Sequence, residues 1–569
     1  VLLTPPAFTF ARFALALALI GSGCSSQDKG GGGVGGGASG QTGDAKSTGG
    51  TSAGGAASSG LGGAGGTGGG AGGGALAGSG GATMGGTAAG GTGGIFTSST
   101  ASSQNDGGTE PQGVLSGPVK LSDSTVAFKH QHYTENANHS LGDVGGQIET
   151  TTFDVKIIEN DLVKVTVLPS YGGRVLSMIY KPTGHEMLYQ NPIGTPYGKG
   201  NGSFYYDWLM VYGGIFPTFP EPEHGKMWLL PWTATVVTKT DDEVALRMTK
   251  KDDIAPSGGI PPANFKYGRT DLEVSATVRV VRGSSAVRLD LEVANSKATP
   301  VSYEYWTCTT LAPGSVPGKP KSPASSEMVV PISQVFIESR WAWMRQVEAA
   351  TATADVFAFS KLALFSNWSD MGIAYAYPAV SKPWWGVLNH ENNVGIFRVA
   401  DPAATPGLKF WTWGASSVNA NPDQPSQARP YIELWGGHSQ RFFTPAQLAA
   451  GAKKQWTEVY LPTVGMTKFS EVTEGAAAWL TYSKGADTVT FNAELFTALP
   501  SRALRVRMSL EGAQSKQLLD QSWTPDAKTS STLTASVPTA QLPAGATKLA
   551  LVVAQSNGDV VLKTDVAYQ

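Results

Sequence analysis

From Val119 onward the chain is written in short runs in which hydrophobic and polar residues alternate, and long amphipathic helical patterns are missing. LVKVTVLP, GRVLSMIYK, EVALRMT, LEVSATVRVV, AVRLDLEVAN and VGIFRVA all follow this rule. A period of two places successive side chains on opposite faces of a strand, so such runs suit sheets with one covered face. Turn clusters separate them: Pro182-Thr-Gly, Thr240-Asp-Asp, Arg282-Gly-Ser and Asn392-Asn393. Many short alternating strands without intervening helices predict an all-β protein, a large antiparallel sandwich over residues 119–466. TVTFNAELF, ALRVRMSLEG, STLTASVP and TKLALVVAQ follow within about a hundred residues and predict a small immunoglobulin-like β-sandwich over residues 467–569. FTPAQLAAGA, Phe443–Ala452, is the one short helix expected.

The chain before Val119 is of another kind. Between Gly30 and Gly94 there are 33 glycines and no aromatic residue. Such a segment has nothing with which to build a core, so residues 25–118 are expected to form a disordered tether. Its r.m.s. reach is roughly 50 Å. Arg12 precedes an apolar run from Phe13 to Ile20, then Gly-Ser-Gly and Cys24. The run is too short to span a bilayer and fits a signal peptide over residues 1–24. The small residues ending in Cys24 resemble a bacterial lipoprotein signal, which implies lipidation of Cys24 and an outer-membrane or cell-surface location. The alternative is ordinary cleavage and secretion.

A formal net charge of -2 with only 15% charged residues argues against a nucleic-acid partner, and any membrane contact is expected only through the lipid anchor. No cofactor is expected, and a monomer is. Cys308 is the only cysteine in the folded part, so no intramolecular disulfide is expected there; in YEYWTCTT it reads as a small buried hydrophobe. His130 and His132 alternate on a strand and could meet His139, but few acidic residues lie nearby, and no metal site is expected.

Two segments carry candidate chemistry. Val211–Trp232 combines a Gly-Gly turn, Pro217, Pro220 and Pro222, and a His-Gly step at His224. Each proline removes a backbone donor, so the segment reads as a rigid aromatic loop that presents an imidazole. In PYIELWGG, strand alternation puts Tyr431, Glu433 and Trp435 on one face. A carboxylate among aromatics is costly to bury, which makes Glu433 a functional candidate; pairing with Arg174 or Arg429 is the structural alternative.

GGIFPTFPEPEHGKMWLLPW and LPSYGGRVLSMIYKPTGHEMLY resemble segments of the galactose-mutarotase-like, or aldose 1-epimerase-like, superfamily. SYEYWTC, the run from WWGVLNHENN to KFWTWG, and YIELWGG resemble, in the same order, strings of a bacterial branch known only as a domain of unknown function. The likeness covers about residues 150–466 and implies a β-supersandwich with a carbohydrate-binding groove. It implies Glu433 as the base for the anomeric hydroxyl proton and His224 as the histidine that contacts sugar hydroxyls. The second histidine of that family, its proton donor, has no counterpart in SYEYWTCTT. Arg174, Glu304, Trp306, Trp385, His390, Trp411 and Trp413 are the further candidates for ligand contact. The expected activities are epimerase-type acid–base chemistry, hydrolysis or elimination on the same scaffold, or glycan binding without catalysis.

Overall fold

The computed structural model describes residues 117–135, 141–191, 193–194, 213–221, 225–228, 230–254, 267–415 and 430–569. They form an almost entirely β architecture, as the alternation predicts. Cys24, residues 25–116 of the tether, His139, His224 and Arg429 lie outside the described residues.

Two large sheets make the main body. In the thirteen-stranded sheet, Gly372–Tyr377, Gly407–Thr412, Ile432–Gly437 and Trp306–Ser315 lie side by side. The sheet continues through His185–Leu188, Arg174–Tyr180 and Val163–Leu168, with Ile215–Thr218 inserted between Trp306–Ser315 and Arg174–Tyr180. The eight-stranded sheet runs from Ser326–Val329 through Trp384–Asn389, Val394–Ala400, Lys453–Val464, Val287–Ala294, Glu273–Val281 and Glu243–Lys251 to Thr233–Lys239. Neighbouring strands within both are mostly antiparallel. Two four-stranded sheets within Glu471–Ala567 enclose a separate cluster that includes Phe491, Val506, Met508 and Leu551. They meet the main body where Tyr180 donates its hydroxyl to the Ala527 carbonyl and packs edge-on against Phe496.

Burial follows from position in these layers. Val287–Ala294 alternates buried and half-buried residues, as its sequence does. Trp384–Asn389, Val394–Ala400, Gly407–Thr412 and Ile432–Gly437 are buried along their whole length, because both faces are covered. Between the sheets Arg398 and Glu458 form a buried ion pair at 2.9 Å. Glu458 also accepts hydrogen bonds from Thr307 of the larger sheet and from Trp456 and Tyr460 of its own. Burial alone would raise the Glu458 carboxyl, but Arg398 and these donors hold it below its ordinary value.

Two local expectations are corrected. Phe443–Ala452 is not a helix: Ala446–Leu448 is a strand paired with Val301–Tyr303, so sheet pairing overrides alanine-rich propensity. Among the described residues the α-helix is instead Ala342–Val347. Pro217 also does not keep its segment out of the sheet, for Ile215–Thr218 pairs with Trp306–Ser315, though over only four residues. The preceding Gly213 and Gly214 take φ of 89° and 90°, and a Cβ on either would come within 2.3 Å of a carbonyl oxygen. Only glycine fits that turn.

Candidate functional site

Register decides what surrounds Glu433. Across one neighbouring strand it faces Trp411, and across the other Thr310. Trp435, two residues on, faces Lys409. Directly opposed residues point to the same side of a sheet, so Lys409, Trp411, Tyr431, Glu433 and Trp435 share one face, joined by Trp306 and Cys308. The other side of these strands meets the smaller sheet: a Cβ on Gly436 would approach the Arg398 guanidinium at 2.7 Å, and Thr307 reaches Glu458. Glu433 therefore points away from the inter-sheet core, yet it is fully buried.

The carboxylate is held by its own strand. Tyr431 donates its hydroxyl to Oε1 at 3.2 Å, and Trp435 donates its indole N–H to Oε2 at 2.7 Å. Burial pushes the Glu433 carboxyl up to about 7, although Lys409 and both hydrogen bonds favour its charged form. The Lys409 ammonium lies 3.6 Å from the centre of the Trp435 ring and 4.6 Å from that of Phe442, a cation–π arrangement. Tyr431 stacks on Tyr189 at 4.0 Å. Beside it the Cys308 thiol is fully buried, and burial followed by Glu433 pushes its pKa well up, which suits an inert packing group. A carboxyl that titrates near neutrality inside aromatic walls can accept a proton and return it.

The other candidates divide by place. Trp306, Trp411 and Trp413 belong to the aromatic slab around Glu433: Trp411 meets Trp413 edge-on at 4.9 Å, and Trp306 meets Phe442 edge-on at 5.0 Å. Among the described residues, the indole N–H groups of Trp306 and Trp413 have no acceptor. Arg174 lies over the Phe216 ring at 4.3 Å and is fully buried. Its guanidinium donates to the carbonyls of Tyr171, Gly213 and Trp228, which ties together three stretches of backbone that are separate in sequence. Glu304 lies at the end of the slab, where it accepts from the Tyr267 hydroxyl and the Phe443 amide. Tyr267 also donates its amide to Glu221.

Two candidates are not brought to Glu433. Trp385 belongs to the smaller sheet and lies under the Arg398 guanidinium at 5.0 Å, so its ring fills the inter-sheet layer. His390 follows the same strand and pairs with Glu327 at 2.8 Å. His438, which follows the Glu433 strand, has the opposite parity and stacks on Tyr305 and against Trp456 between the sheets. His130 and His132 bond to Thr151 and Glu149, and among the described residues no group of three or more His, Cys, Asp or Glu could hold a metal.

Sequence reasoning missed Lys409, although its alternation with Trp411 and Trp413 carried the signal. Phe442 had none, because it reaches the slab from a loop. A separate open groove of about 390 Å³ lies on the outer face of the smaller sheet, between Arg247, Asp290, Glu292 and Gln455. There Arg247 pairs with Glu292, which also accepts from Gln455, and Asp290 accepts from Thr457, a chemistry unlike that around Glu433.

A family model described as a domain of unknown function, DUF5107, matches residues 137–251. Similar solved structures include a TPR-domain containing protein from Parabacteroides distasonis, with TM-score 0.48 and 15% identity over 63% of this chain and 57% of that one. The chain thus spans little more than half the length of that protein. A galactose mutarotase-like protein from Clostridium acetobutylicum matches with TM-score 0.38 and 11% identity over 55% of this chain and 96% of that one. Another galactose mutarotase-like protein, from Lactobacillus casei, gives 0.34 and 12% over 54% and 99%.

Proposed function

We propose that the chain binds a carbohydrate on the aromatic face around Glu433 and that Glu433 serves as general base in epimerase-type exchange at the anomeric carbon. The observation that carries this reading is a carboxylate turned away from the inter-sheet core, gripped by Tyr431 and Trp435 and brought to about 7. Sugar rings have apolar C–H faces that pack on indoles, while their hydroxyls need fixed polar partners. Trp306, Trp411 and Trp413 supply the first, and Glu433 supplies one of the second. Removing the anomeric proton needs a base that is charged, yet not so stabilised that it keeps its charge, at working pH. In this structure the side chains close over the carboxylate, so a ligand must displace part of the aromatic wall.

NMR of anomer exchange across a panel of aldoses tests the reading. The chain should accelerate exchange of at least one sugar, and Glu433→Gln should slow it by about 10²–10⁴-fold. The full burial of Glu433 favours a second reading, a glycan-binding protein without catalysis; measurable binding with no acceleration of any sugar would select it. Export with a lipid on Cys24 belongs to the same proposal. Labelling with a fatty-acid analogue, lost in Cys24→Ala, would support it.

A further inference from the structure

Opening a sugar ring requires an acid as well as a base, because the ring oxygen leaves the anomeric carbon with an electron pair that must be protonated. On the reading that Glu433 is the base, we propose that Lys409 is the proton donor. Lys409 comes from the adjacent strand, on the same face, one register step along from Glu433. It is almost fully buried. Its ammonium rests on the indole whose N–H is given to Glu433, so one ring separates the two groups. The described histidines offer no alternative there: His438 faces the smaller sheet, His390 pairs with Glu327, and His130, His132 and His185 bond to Thr151, Glu149 and Thr183.

The step balances. Glu433 takes the proton from the anomeric hydroxyl, the C1–O1 bond becomes a carbonyl, and the C1–O5 bond breaks. Its electron pair goes to O5, which takes a proton from Lys409 Nζ. After rotation about C1–C2 the reverse step restores both groups, with no net consumption of acid or base. The transfer also converts an ammonium and a carboxylate into a neutral amine and a neutral acid. In a dry site this removes two buried charges at once, which relieves their desolvation cost.

Lys409 faces Trp435 across one neighbouring strand and Tyr375 across the other, with the Glu433 carboxylate one register step along and the Cys308 thiol and Arg174 guanidinium among the nearby titratable or charged groups. The test compares Lys409→Met and Lys409→Arg with the full-length wild type in the anomer-exchange assay, over a range of pH. Arginine keeps the charge over Trp435 but does not release a proton in this range. Both variants should lose about 10²–10⁴-fold in rate, and Lys409→Arg should also lose the alkaline limb of the profile while circular dichroism and melting stay those of the wild type. Wild-type rates and an unchanged alkaline limb in Lys409→Arg, with Glu433→Gln slow, would overturn the donor role alone. A wild-type chain that accelerates no sugar would overturn both roles together.

Discussion

Removing the charge of Glu433 should change how stability depends on pH. The carboxyl rises from 4.5 to about 7 on folding, because burial outweighs Lys409, Trp435 and Tyr431. At roughly 1.4 kcal/mol per pH unit, this is about 3 kcal/mol of preference for the protonated form. Below 4.5 both folded and unfolded chains carry the proton, and the group's contribution is fully present. Between 4.5 and about 7 the unfolded chain has lost the proton while the folded chain keeps it, so stability falls as pH rises through this window and levels off above it. Glu433→Gln is neutral at every pH and keeps an acceptor for the Trp435 N–H. Denaturant midpoints of the two chains, read by tryptophan fluorescence across that window, should diverge with rising pH until the variant is relatively stabilised by about 3 kcal/mol. A difference that stays flat, or that favours the wild type as pH rises, would refute the reasoning. Lys409→Met should push the titration higher still, because it removes a charge that favours the carboxylate.

Glu458→Gln leaves the Arg398 guanidinium between the sheets without its counter-charge and should cost about 3–5 kcal/mol, measured as a lowered urea midpoint. Gly437→Ala places a Cβ 2.2 Å from a ring carbon of Trp306; the overpacking should cost about 1–3 kcal/mol and alter tryptophan fluorescence. His438 is kept neutral by burial and then by Lys454 and Arg398, with Tyr303, Tyr305 and Trp456 packed around it. As pH falls below the ordinary histidine range the unfolded chain binds a proton that the folded chain refuses, so stability should drop. His438→Phe should flatten that acid limb in the same midpoint measurement.

Strand order and pairing show where sequence reading ends. Val287–Ala294 and Leu504–Gly512 alternate in sequence and in burial, so the residue pattern alone assigns their faces. Val394–Ala400 and Ile432–Gly437 are covered on both faces, and there alternation tells which residues share a side but not what covers it. For Ala446–Leu448 the local signal pointed the wrong way, because the partner Val301–Tyr303 lies more than a hundred residues distant.

The residues alone determined an all-β chain, because period-two alternation suits no other regular structure. They also placed Tyr431, Glu433 and Trp435 on one face, since side chains on a strand must alternate. Only the tertiary structure decided that Lys409 and Trp411 join that face while Trp385 and His438 meet the other sheet's layer. Register between distant strands settles which side chains become neighbours, and the depth of burial settles how their protons are held. Both depend on segments far apart in sequence, which no local pattern encodes.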